Sequence, residues 1–250
     1  MSVYAIASAL LGLLGISAGA ETATIAVAAN FKAPVEALAE TFEEESGHTV
    51  RIVIGSTGKL YAQITHGAPF DAFLAADQER PQKLVEAGYA SGNAAFTYAT
   101  GILALWESSA ADSFDIDRLL SDDVHHIALA NSRLAPYGRA AMETLKAANL
   151  DDALRSKIVT GENVAQAFIL VDTKNADIGF VALSQIISAD APARGHYWTV
   201  PAELYAPILQ DAVLLKRGEG NAAAEAFMSF LASDRAQATI ESFGYKPRGK

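Results

Sequence analysis

A two-lobed α/β architecture follows from three observations along the chain. Apolar runs of strand length alternate with helix-length amphipathic segments joined by short loops. The pattern changes from Thr97 and resumes as a second series. A late apolar run, Ile208–Leu215, then leads into helical segments that complete the first series. At 250 residues the chain is long enough for two lobes of about 100 residues each.

Thr24–Ala28 (TIAVA) reads as a buried strand. Val35, Leu38, Ala39 and Phe42 mark one face of the next helix, with Pro34 at its first position and Gly47 beyond its end. Thr49–Ile54 is a second strand and Leu60–His66 a second helix, closed by Gly67-Ala68-Pro69. Ala72–Ala75 is a third strand and Glu79–Ala87 a third helix, ended by Gly88. Such β-α-β-α-β-α order with short loops predicts a parallel sheet with helices on both faces.

In the second series Gly101–Trp106 and Ile127–Ala130 read as strands, Gly138–Asn149 as a helix and Asp151–Lys157 as a shorter one. Val164–Asp172 is helical, Ile178–Val181 and Ile208–Leu215 are strands, and Asn221–Phe243 holds the terminal helices. The predicted division is residues 21–102 plus 206–250 for lobe I and 103–205 for lobe II, with a single domain as the competing parse. Gly101–Trp106 and Ile208–Leu215 would cross between the lobes. Two crossings make a hinge, and a hinge makes a cleft.

The first twenty residues, MSVYAIASALLGLLGISAGA, carry no charged side chain and end in the small-x-small signature Ala18-Gly19-Ala20. Residues 1–20 therefore read as an export signal, although the n-region lacks Lys and Arg. An uncleaved anchor or a buried strand are the alternatives; the run is short for a membrane span. A formal charge of −10 argues against nucleic acid and anionic membrane surfaces as partners. The chain has no cysteine, which removes disulfides, thiolate nucleophiles, thiolate zinc sites and iron–sulfur clusters.

In open α/β sheets, ligands sit at the carboxyl ends of strands, where helices begin. Four such turns stand out: Ala28–Pro34, Gly55–Lys59, Ala135–Gly138 and Gly161–Val164. The first turn of each helix offers unpaired N–H groups at the positive end of its dipole, an anion site that needs no cation. Asn30, Ser56 and Thr57 add neutral side-chain donors. Helix capping is the bland alternative for each turn taken alone.

The run Gly55-Ser56-Thr57-Gly58-Lys59 is not a nucleotide loop. Leu60 follows Lys59 where a magnesium-binding hydroxyl is required, and Val53 stands where that loop begins with glycine. No catalytic constellation competes with the turns. His125 and His126 are neighbours in an extended segment and point apart, and no G-x-S-x-G elbow occurs. Lys59 and Arg139 lie in first turns, either reaching the anion or sitting at the surface.

At these turns the chain resembles the molybdate-binding proteins of ABC importers. The resemblance rests on VAANF (Val27–Phe31), GSTGKLYAQITHGAPFDAFLAADQ (Gly55–Gln78), APYG (Ala135–Gly138), GENVAQA (Gly161–Ala167) and IGFVAL (Ile178–Leu183). It implies a type II periplasmic-binding-protein fold, in which each lobe is a mostly parallel sheet flanked by helices. It implies a monomer that captures molybdate or tungstate in the cleft and hands it to a membrane permease, with no catalysis and no cofactor. By position, Asn30, Ser56, Thr57, Tyr137 and Val164 form the oxyanion site, Tyr137 and Val164 through main-chain N–H groups. The chain departs at Ala182, where some members carry a tyrosine whose hydroxyl meets the oxyanion; the Asn30 side-chain amide is the expected substitute. Rival readings are a receptor for sulfate, or for phosphate if Glu162 supplies an acceptor, and a small-molecule hydrolase or transferase built on Glu162 and Lys59.

Overall fold

The structure, a computed structural model, describes residues 19–109, 112–187 and 194–246. The export signal read at residues 1–20 lies outside these, save for its last two residues. The opening series is β1 (Thr22–Ala28), a 3-10 turn at Ala29–Phe31, α1 (Lys32–Ser46), β2 (Thr49–Gly55), α2 (Thr57–Thr65), β3 (Ala72–Leu74), α3 (Glu79–Glu86) and β4 (Ala90–Gly101). The second series runs β5 (Leu103–Glu107), β6 (Ile127–Ala130), α4 (Pro136–Ala147), β7 (Ile158–Gly161), α5 (Val164–Asp172), β8 (Ile178–Ala182), α6 (Leu183–Ile186) and β9 (His196–Thr199). Then come β10 (Ile208–Leu215), α7 (Ala222–Leu231) and α8 (Asp234–Ser242).

The strands form two five-stranded sheets, ordered β2-β1-β3-β10-β4 and β7-β6-β8-β5-β9. Each begins with two parallel pairings and ends with two antiparallel ones. The sheets are thus mixed, because the strands on either side of each crossing fold back against the parallel part. Their side chains alternate between faces. In β1, Ile25 and Val27 pack with α1, α7 and α8, while Ala26 faces Leu60, Ile64 and Leu84 of α2 and α3. In β5, Leu103 and Leu105 face α4, and Ala104 and Trp106 face α5.

Two expected elements are redrawn. The predicted strand Gly101–Trp106 is broken at Ile102, so β4 ends in one sheet and β5 begins in the other. β10 lies wholly in the first sheet, with Val200–Pro207 making the second crossing. β4 escaped the sequence reading because ASGNAAF lacks the β-branched residues that mark strands. The buried Asp71 accepts from the Thr24 N–H at 2.7 Å and pairs with Arg217, tying β1 to the segment after β10.

Candidate functional site

All four turns lie at the carboxyl ends of parallel strands. β1 ends at Ala28, β2 at Gly55, β6 at Ala130 and β7 at Gly161. They converge on one narrow buried cavity lined by Ala28, Ala29, Asn30, Ser56, Thr57, Ala76, Ala135, Pro136, Tyr137, Asn163 and Val164. It leaves about 10 Å3 for the centre of a water-sized guest. That is about the space of a single water, and none for a nucleotide. The five residues read from the sequence all line it, at 3% exposure or less for each: Asn30, Ser56, Thr57, Tyr137 and Val164.

Local chemistry shows why. Ser56 occupies the N-cap of α2, yet its side chain makes no capping bond. Its Oγ is the one side-chain polar atom among the described residues that is buried without a hydrogen-bond partner. Leaving such a group unpaired costs about 1–3 kcal/mol, so an unpartnered hydroxyl on a residue lining a cavity argues for a guest that accepts its proton. Thr57 Oγ1 accepts from the Ala76 N–H at 3.2 Å and keeps its own proton to donate. Opposite, Pro136 holds the first position of α4, so Tyr137 is the first residue there with an N–H to offer. Val164 is the first residue of α5, whose cap Asn163 accepts from the Gln166 N–H at 3.0 Å. The Asn163 side-chain oxygen is thus engaged in capping, while the residue itself lines the cavity.

Asn30 meets the cavity differently from the sequence expectation. Its amide nitrogen donates to Gln210 Oε1 at 2.9 Å and to Tyr245 Oη at 3.0 Å, so the side-chain amide serves the core and does not replace the tyrosine missing at Ala182. The turn retains its main-chain N–H groups. Ala182 itself is buried, donates its N–H to Gln185 Oε1 at 3.0 Å and does not line the cavity.

No charged side chain lines the cavity. Lys59 Nζ pairs with Glu162 Oε1 at 3.1 Å, bridging the two walls, so neither is placed as a base or an acceptor for a guest. Arg139 pairs with Glu79 at 3.5 Å and Asp77 at 3.7 Å, and Arg80 donates to the Arg133 carbonyl at 3.0 Å. The Gly58 N–H donates to the Leu134 carbonyl at 2.8 Å, a main-chain bond between the walls beside Thr57. Beneath the cavity, burial pushes the hydroxyls of Tyr98 and Tyr137 well above the usual tyrosine range and that of Tyr245 up to about 12. These phenols stay neutral, so no phenolate opposes an anion. A wider cavity of about 230 Å3 beside Ala206–Ile208 is lined by Asp77, Glu79 and Glu143 as well as Arg139, an acidic balance unsuited to a dianion.

Known proteins resemble this chain over nearly its full length. Residues 23–246 match the family described as bacterial extracellular solute-binding protein. The chain is 44% identical to the molybdate-binding protein ModA of Rhodobacter capsulatus, covering 96% of this chain and 94% of that protein. It is 43% identical to the ModA of Azotobacter vinelandii, covering 94% and 93%. The solved structure of the Azotobacter vinelandii periplasmic molybdate-binding protein superposes with a TM-score of 0.86 at 40% identity, covering 90% of this chain and 98% of that one. The chain belongs to the molybdate-binding branch of the extracellular solute-binding proteins, with their two-lobed type II fold, a family of binding proteins and not of enzymes.

Proposed function

We propose, from that membership, that this chain captures molybdate, and tungstate with it, between two lobes (residues 21–102 with 206–250, and 103–205) and delivers it to an ABC permease. Asn30, Ser56, Thr57, Tyr137 and Val164 are the proposed binding residues, and export to the periplasm as a monomer is the proposed setting. The observation that carries the reading is the unpartnered Ser56 hydroxyl in a buried cavity that also receives first-turn amides from both sheets.

The donor set suits a fully deprotonated dianion. Hydrogen phosphate would leave one O–H without an acceptor, a penalty of about 1–3 kcal/mol. Glu162, the acceptor that a phosphate receptor would need, is paired with Lys59. Size then separates molybdate from sulfate, because charge and shape agree. A lining without Lys or Arg suits a carrier that must release its guest, and lobe closure signals occupancy to the permease. Titration calorimetry with molybdate, tungstate, sulfate and phosphate tests this. Molybdate and tungstate should bind most tightly, and phosphate binding more tightly than molybdate would overturn the reading.

A further inference from the structure

We infer that Gln210, which does not line the cavity, is a positioning residue that couples the two walls during oxyanion capture; the inference rests on the function proposed above. Gln210 is fully buried on β10, immediately before an irregularity in its pairing with β4. Its Oε1 lies 2.9 Å from the Asn30 amide nitrogen and 3.0 Å from Tyr98 Oη, and its Nε2 donates to Tyr137 Oη at 3.3 Å. Asn30 lines the cavity from the first sheet and Tyr137 from the second, so one side chain holds a binding residue on each side.

The main chain is shaped around this link. At Gly101, the last residue of β4 before the crossing, an added Cβ would overlap the Tyr137 hydroxyl and lie 2.7 Å from Gln210 Nε2. The crossing strand thus leaves space for the two groups that meet there. Tyr245 and Ser184 secure the same turn from below, through bonds to the Asn30 carbonyl at 2.8 and 3.0 Å. Because Tyr137 reaches Gln210 with its hydroxyl and the cavity with its main chain, the angle between the walls and the placing of the Asn30 and Tyr137 amides vary together.

The test compares the wild type with Gln210→Met, Tyr137→Phe, Gly101→Ala and the Gln210→Met/Tyr137→Phe double variant. Molybdate and sulfate affinities come from calorimetry, release rates from stopped-flow, and all are read well below each variant's melting temperature. Gln210→Met should bind molybdate about tenfold more weakly, mainly through faster release, and should narrow the preference over sulfate. The double variant should be no weaker than Gln210→Met alone, because both changes cut one link. Should Gln210→Met fail to fold, Tyr137→Phe and Gly101→Ala carry the same expectation at smaller size. Folded variants with wild-type affinity, release and preference overturn the inference, as do fully additive losses. If the wild type binds none of the oxyanions, the proposed function fails and this inference with it.

Discussion

The two walls of the cavity are built on the same plan and supply different chemistry. The wall from the first sheet offers the hydroxyls of Ser56 and Thr57 at the start of α2, whose Gly58 N–H is already given to the Leu134 carbonyl. The wall from the second sheet offers chiefly main-chain amides: the Tyr137 side chain is turned to Gln210, Val164 has no polar side chain, and the Asn163 side-chain oxygen caps its own helix. The lesson is that substitution by alanine reads chiefly one wall. Much of the proposed site lies in the backbone, and its sensitivity must be sought by changing the backbone.

The largest expected effect comes from doing that. Val164→Pro removes the N–H at a position where proline suits a helix, and Asn163 already has the extended conformation (φ −144, ψ 176) that a following proline requires. A charged guest should lose about 1.5–3 kcal/mol of binding, while Val164→Ala stays near wild type by calorimetry. Equal affinity in the two variants would break the contrast between the walls.

Next in size, Ser56→Ala should weaken molybdate binding by about 1–3 kcal/mol and, measured by thermal melting without ligand, should not destabilise the protein, since its hydroxyl has no partner to lose. Thr57→Ala should lower both quantities, because Thr57 also accepts from the Ala76 N–H. A Ser56→Ala protein that melts well below the wild type would reassign that hydroxyl to the fold.

The smallest effect belongs to the pair that joins the walls at the surface. Lys59 and Glu162 are 51% and 46% exposed. Pairs of this kind contribute about 0.2–1 kcal/mol, so Glu162→Gln should change molybdate affinity by less than about fivefold. The change should fade as salt is raised. Complete loss of binding in that variant would bring Glu162 into the site as an acceptor.

Much of this was legible in the chain itself. Glycine, hydroxyl and proline at strand-to-helix turns betray main-chain amides presented at helix starts, and all five residues named from those turns line one cavity. What stayed hidden depends on distance along the sequence. Asn30 is 180 residues from Gln210 and 215 from Tyr245, so nothing local reveals that its amide faces the core. Lys59 and Glu162, separated by 103 residues, each read as a possible functional group until their pairing was visible. The long strand Ala90–Gly101 was missed because its placing beside β10 comes from pairing and not from its own composition.

The bond from the Gly58 N–H to the Leu134 carbonyl ties the start of α2 directly to the opposite wall. In the proposed capture cycle the walls part and that proton meets water; when they shut, it is shielded. Its exchange with deuterium would therefore report how far the cleft opens, giving the molecule a reporter in its own main chain that needs no attached probe.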